Sequence, residues 1–186
     1  QVHLKKLIQA MAKFENFAGK LLRLEGGYVN HPLDKGGPTK YGVILSVWKE
    51  YGHDKDGDGD IDAEDIKKLS EEDAKWIAKK IFWDYFQADF ILNESVAQFI
   101  VDWGYNSGRK TVAKIVQRVV NADVDGIVGV QTLTAINCAD QERLFNLLKI
   151  ERQVFLNNII KRRPDQIVFY DGWMNRVNSF RFKQAA

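Results

Sequence analysis

Three observations predict a mainly α fold. Apolar residues recur at helical spacing along most of the 186 residues, as amphipathic helices require. Helix-starting residues precede several of these runs: Ser70, Asn93 and Asp140. Only Tyr28-Val29-Asn30 reads as a strand, and it would form one side of a small β-hairpin in the Gly- and Pro-rich loop from Gly26 to Pro38.

The chain fits one ordinary domain or two small ones. With 45% hydrophobic residues it can build a real core. Three prolines and no low-complexity run argue against a disordered linker. No apolar stretch approaches the ~20 residues that span a bilayer. Gln1 to Glu15 is amphipathic, with Lys5, Lys6 and Lys13, and lacks the continuous apolar region of a signal peptide. The single cysteine, Cys138, excludes an internal disulfide; its apolar-periodic surroundings predict a buried, inert thiol. His3, His31 and His53 are too scattered to suggest a zinc site or a Cys-His pair. Charge is uneven. Residues 1–108 carry 14 Lys+Arg against 18 Asp+Glu, a balance of −4, and residues 109–186 carry 13 against 7, a balance of +6. A basic C-terminal half would favour anionic polymers, but no nucleic-acid module accompanies it.

The first helix is expected from Leu4, Leu7, Ile8, Met11, Phe14, Phe17, Leu21 and Leu24, ending at Glu25 before Gly26-Gly27. The next is expected from about Thr39 to Tyr51, burying Val43, Ile44, Val47 and Trp48. Ser70 opens a helix with an acidic third residue, Asp73, as in a capping box. Asn93 caps a helix with Val96, Phe99, Ile100 and Trp103 on one face. Thr111 to Asn121 and Gln131 to Asn137 are two more, joined by the turn Asp123 to Gly129. A long segment from Asp140 to Arg163 stops at Pro164, and Ile167 to Phe182 closes the chain. No period of 20–50 residues recurs, and no linker separates the halves, so they are expected to pack as one unit.

Chemistry concentrates between Glu25 and Thr39. A carboxyl at a helix C-terminus, beside apolar residues, is poorly solvated and faces the negative end of the helix dipole. Both effects favour the protonated form that a general acid needs. Asp34 follows in a Gly- and Pro-rich loop, and Thr39 precedes the next helix. Two carboxyls in different surroundings, one protonated and one ionised, are the minimum for cleaving a glycosidic bond. The spacing alone equally allows a solvated Glu25, a turn-forming Asp34 and an N-capping Thr39.

Glu25-Gly26-Gly27-Tyr28, Asn30, Asp34, Gly36-Gly37, Thr39 and Tyr41-Gly42 together resemble the signature of glycoside hydrolase family 108. These are lysozyme-like N-acetylmuramidases, among them proteins described as secretion activators. The resemblance implies a lysozyme-like helical domain over 1–108 with Glu25 as catalytic acid. Asp34 and Thr39 take catalytic roles from the more distant similarity to phage-type lysozymes, which have one more residue before the Thr. It also implies substrate contacts from Tyr28, Asn30 and Tyr41. The string Trp103-Gly104-Tyr105-Asn106-Ser107-Gly108 resembles a family string, which makes Trp103, Tyr105 and Asn106 candidates for the wall of a sugar cleft. Trp103 is equally readable as a core residue.

Asp54 to Asp65 matches the twelve-residue calcium loop. Asp54, Asp56 and Asp58 take positions one, three and five. Gly59 takes the sharp turn, Asp60 offers its carbonyl and Asp62 takes position nine. Asp65 stands at twelve, where sensor loops carry Glu; the shorter acid is familiar from dockerin-type loops. Seven acidic residues in twelve would repel one another without a cation, so structural calcium is expected, and magnesium less so because that ion prefers fewer protein ligands.

Asp125-Gly126, Gly129, Thr132 and Ala135-Ile136 resemble an element of small peptidoglycan-binding domains, which implies a helical peptidoglycan-binding region over 109–186. The element is equally readable as structural. The function expected is hydrolysis of the β-1,4 bond between N-acetylmuramic acid and N-acetylglucosamine. The expected location is the cell wall or periplasm, with peptidoglycan glycan strands as partner and no nucleic acid. Two alternatives stay open: a lytic transglycosylase acting on the same bond, and a non-catalytic, calcium-dependent wall-binding module that assists secretion.

Overall fold

The computed structural model describes residues 11–24, 27–30 and 37–184. Contacts divide the chain into two compact units, one of residues 15–81 and one of residues 1–14 with 82–186. Both are mainly helical, and the only sheet among the described residues has two strands. The units do not follow the 1–108 and 109–186 division expected from sequence. Helices on either side of residue 108 pack together within the larger unit.

In the smaller unit, α1 (Phe14–Leu24) buries Phe17, Ala18 and Leu21. The expected extension through Leu4, Leu7 and Ile8 lies outside the described residues. Next comes a hairpin of β1 (Thr39–Lys40) and β2 (Val43–Ile44), in register Thr39↔Ile44 and Lys40↔Val43. Tyr41 and Gly42 turn the chain with φ of 52° and 76°, as a two-residue type I′ turn requires. The hairpin therefore replaces the first turn of the helix expected from Thr39. β-branched Thr39, Val43 and Ile44 favour the extended form, and α2 starts only at Leu45 (Leu45–Tyr51). Val29, expected in a strand, forms an isolated antiparallel bridge with Thr39. Gly52 follows α2 flat against Trp48: a Cβ there would lie 2.2 Å from the indole. The acidic loop leads into α3 (Ala63–Lys68), and Ser70 with Asp73 forms the expected capping box of α4 (Glu71–Ile77). A π-helical segment, Ala78–Trp83, follows α4 in the sequence.

In the larger unit, α5 (Glu94–Ser107) is buried over nearly all its length. Asn93 caps it by accepting from the N–H groups of Ser95 and Val96. Around it pack α6 (Arg109–Val119), α7 (Val130–Cys138), α8 (Gln141–Arg162), a 3-10 segment (Pro164–Phe169) and α9 (Tyr170–Ser179). Phe99 of α5 meets Phe145 of α8 and Phe180 beyond α9, each at 5.4 Å between ring centroids. Edge-to-face pairs of this kind add to the burial of apolar area. Asp102 is fully buried, where an unpaired carboxylate would be prohibitive. Arg152 donates to its Oδ2 at 2.8 Å and Arg176 to its Oδ1 at 2.6 Å. Burial pushes the Asp102 carboxyl up, and the two guanidiniums outweigh that and hold it below the usual carboxylate value.

Cys138 is exposed, against the expectation of a buried thiol. The buried face of α7 is Thr132, Leu133 and Ile136, and position 138 points away from it at 100° per residue.

Candidate functional site

Two backbone bonds close the bridge between Val29 and Thr39. The Val29 N–H donates to the Thr39 carbonyl at 2.8 Å, and the Thr39 N–H donates back at 2.9 Å. Val29 and Thr39, ten positions apart in the sequence, are thus held side by side. Glu25 and Asp34 lie outside the described residues. The Thr39 hydroxyl is buried and has no hydrogen-bond partner among the described residues. Tyr28 is half-buried, with the Lys67 ammonium 5.5 Å from its ring centroid, and Asn30 is exposed. Tyr41, also half-buried, holds a left-handed backbone that costs a bulky residue about 1–3 kcal/mol. The type I′ turn imposes this conformation on Tyr41. The Lys40 ammonium stands 5.4 Å from the Tyr41 ring centroid. Tyr28, Asn30, Thr39 and Tyr41 are therefore gathered on or beside one bridge and its hairpin.

The acidic loop is ordered by its own backbone. Asp54 accepts from the N–H groups of Gly57 at 2.6 Å and Gly59 at 2.8 Å, which hold its carboxyl below the ordinary value. Asp65 is fully buried and accepts from Asp62 N–H at 2.7 Å and Lys55 N–H at 2.5 Å, with the same effect on its carboxyl. Asp56 shifts upward through desolvation and the charge of Asp58. Asp60 shifts upward chiefly through Asp58. Two sets of carboxylate oxygens each converge within 4.8 Å: Asp54, Asp56 and Asp65, and Asp60, Asp62 and Asp65. Asp58 joins neither. An all-oxygen donor set suits a hard cation such as calcium.

The aromatic string at the end of α5 differs from its expectation. Trp103 is fully buried and packs edge-on against Phe99 and Phe155. Its ring offers no face to a sugar, because α5 is covered on nearly every side. Tyr105 is buried too, 4.8 Å from Phe82 between centroids. Asn106 is exposed, and its amide donates to the Asp102 carbonyl at 2.7 Å. Gly104 is required by packing, since a Cβ there would stand 2.4 Å from the Phe86 ring.

The turn from Asp123 to Gly129 is fixed by Gln117, which sequence reasoning passed over. This buried amide donates to Asp125 Oδ1, the Ile127 carbonyl and Thr132 Oγ1, and accepts from Gly126 N–H. Tyr85 also donates to the Gly126 carbonyl, at 2.5 Å. Ile127 and Val130 are left 69% and 80% exposed on this rigid turn.

Residues 18–108 match the family model for glycosyl hydrolase 108. That stretch belongs to the family. Residues 111–178 match a predicted peptidoglycan domain. The solved structure of Brucella abortus SagA is similar to this chain with a TM-score of 0.72 at 25% identity, covering 93% of this chain and 98% of its own. A search of curated proteins gives no match. A glycosyl hydrolase 108 region followed by a peptidoglycan domain makes the chain a peptidoglycan-acting glycoside hydrolase with a lysozyme-like fold. No described helix is long and apolar enough to cross a membrane.

Proposed function

We propose that this glycosyl hydrolase 108 protein is an N-acetylmuramidase. It cleaves the β-1,4 bond between N-acetylmuramic acid and N-acetylglucosamine in glycan strands of the cell wall or periplasm. Glu25 gives its proton to the glycosidic oxygen as the bond to the anomeric carbon breaks. A water adds to that carbon, Asp34 takes the water's proton and Thr39 orients the water. Tyr28, Asn30 and Tyr41 contact the sugars.

The observation that carries this reading is the Val29–Thr39 bridge. Glu25 lies four residues before Val29, and Asp34 five before Thr39, so both acids are close in the chain to one fixed point. The buried Thr39 hydroxyl, without a partner among the described residues, supplies a polar group suited to a bound water. In a water-using arrangement the two carboxyls stand about 6.5–9.5 Å apart.

We also propose that loop 54–65 binds calcium structurally, through Asp54, Asp56, Asp58, Asp62 and Asp65 side chains and the Asp60 carbonyl. The convergent oxygens around Asp65 support it.

Mass spectrometry of the products released from purified peptidoglycan tests the cleavage. Reducing N-acetylmuramic acid ends are expected. Predominantly 1,6-anhydro ends would replace hydrolysis by internal transglycosylation and leave Asp34 without its role.

A further inference from the structure

We propose that Lys40 is a positioning residue, which sets the placement of the Thr39 strand by clamping it to the C-terminal turn of α3. The inference rests on the muramidase reading for its consequence in catalysis, and on the hairpin's geometry for the clamp itself.

β1 and β2 have two residues each, and Val29–Thr39 is a single bridge. Isolated two-stranded pairings are marginal in water. The placement of Thr39 must come from what the hairpin is fastened to. Lys40, the next residue, donates from its Nζ to the Lys67 carbonyl at 2.6 Å. That carbonyl lies in the last turn of α3, where carbonyls lack helical partners and carry partial negative charge. An ammonium there satisfies both needs. Lys67 also reaches the other strand of the bridge, with its ammonium 5.5 Å from the Tyr28 ring centroid and bonded to Glu64 at 2.5 Å. Tyr28 precedes Val29 as Lys40 follows Thr39. One residue of α3 thus holds both flanks of the bridge, by its carbonyl on one side and its side chain on the other. α3 is a firm anchor, because the Asp62–Asp65 capping box fixes its start and buries Asp65.

Lys40 also faces the ring of Tyr41 at 5.4 Å. Its ammonium therefore connects the helix end, the strained turn and the strand that bears Thr39. The contact is at the surface, so its loss should move global stability little. A shift of about 1 Å in a catalytic group, by contrast, can cost about 10²-fold in rate. That contrast separates a positioning role from a merely structural one.

Full-length wild type, Lys40→Met and Lys40→Arg would be compared by amide hydrogen exchange, thermal melting and steady-state cleavage of soluble peptidoglycan glycan fragments. In Lys40→Met the Val29 and Thr39 amides should exchange ~10-fold faster or more, with melting nearly unchanged. Its kcat should fall ~10-fold or more with KM within ~2-fold. Lys40→Arg, which keeps the cation, should restore both. Unchanged exchange at Val29 and Thr39 in Lys40→Met would overturn the clamp, whatever the activity. Faster exchange with unaltered kcat would overturn the positioning role. A wild type that cleaves no glycan would defeat the muramidase reading and with it the catalytic role, while the exchange comparison would still decide whether Lys40 holds the strand.

Discussion

Arg152 Nη1 and Asp102 Oδ2 meet at 2.8 Å in the interior of the larger unit, with both residues almost completely buried. They are 50 positions apart in sequence. Asp102 belongs to the stretch that matches the glycosyl hydrolase family, and Arg152 to the stretch that matches the peptidoglycan domain. The pair is a physical joint between stretches that match two different family models.

Removing one partner of such a pair strands a buried charge. Asp102→Asn is expected to cost about 3–5 kcal/mol, measured by denaturant unfolding. The pH dependence follows from sign. The folded Asp102 carboxyl titrates below its unfolded value, so its stabilisation is complete above the unfolded value of about 3.9. It is lost as pH falls through the lower, folded value. Wild type should therefore lose stability more steeply below about pH 4 than Asp102→Asn does, and equal acid slopes would contradict this account.

A chain ending at Gly108 should not fold as wild type does. Phe99 would lose Phe145 and Phe180, Asp102 would lose both arginines, and Trp103 would lose Phe155. Limited proteolysis and near-ultraviolet circular dichroism read this directly. A protease-resistant 1–108 fragment with native-like aromatic signals would show that the family boundary is also a folding boundary.

Glu25→Gln keeps the shape of the side chain and removes its acidic proton. Loss of a general acid typically costs about 10²–10⁴-fold in rate, so turbidity clearance of purified walls should nearly stop while melting is unchanged. Asp34→Asn should still bind wall fragments and lose most hydrolysis. Near-normal lysis by folded Glu25→Gln would remove that residue from the mechanism.

Calcium that binds only the folded loop stabilises the chain by linkage. At a free concentration ~100 times Kd the gain is about 2.7 kcal/mol. Melting in chelator and in millimolar calcium should differ, and the difference should shrink in Asp54→Asn. An identical melting temperature in both buffers would mean that the loop takes no calcium.

Much of this architecture is legible in the sequence because caps and apolar periods are local. Ser70, Asn93 and Asp140 start helices as their side chains predict. The Thr39–Ile44 hairpin is not legible because its turn is Tyr41-Gly42, not one of the Asn-Gly or Asp-Gly pairs that usually announce positive φ. Val43, Ile44, Val47 and Trp48 then read as one helical run across a strand and a helix. Trp103 shows a second limit: spacing tells which residues share a face, not how deeply the face is covered. Asp102 shares an i, i+4 row with Glu94, Gln98 and Asn106, so in the sequence it reads as part of a solvent-facing polar stripe although it is fully buried. Its partners, 50 and 74 positions away, leave no local trace. Lys40 is silent for the same reason, since its acceptor is a main-chain carbonyl 27 positions on.

The exposure of Cys138 has a practical use. It is the only cysteine in the chain, so a single maleimide reaction attaches one fluorophore at one address without mutagenesis. The neighbouring Asn137 side chain bonds the Leu92 N–H at 3.0 Å and the Phe90 carbonyl at 2.8 Å. A dye at this point sits beside a junction between α7 and the segment that leads into α5. Its anisotropy on mixing with purified sacculi would follow wall attachment as it happens, in the otherwise native protein.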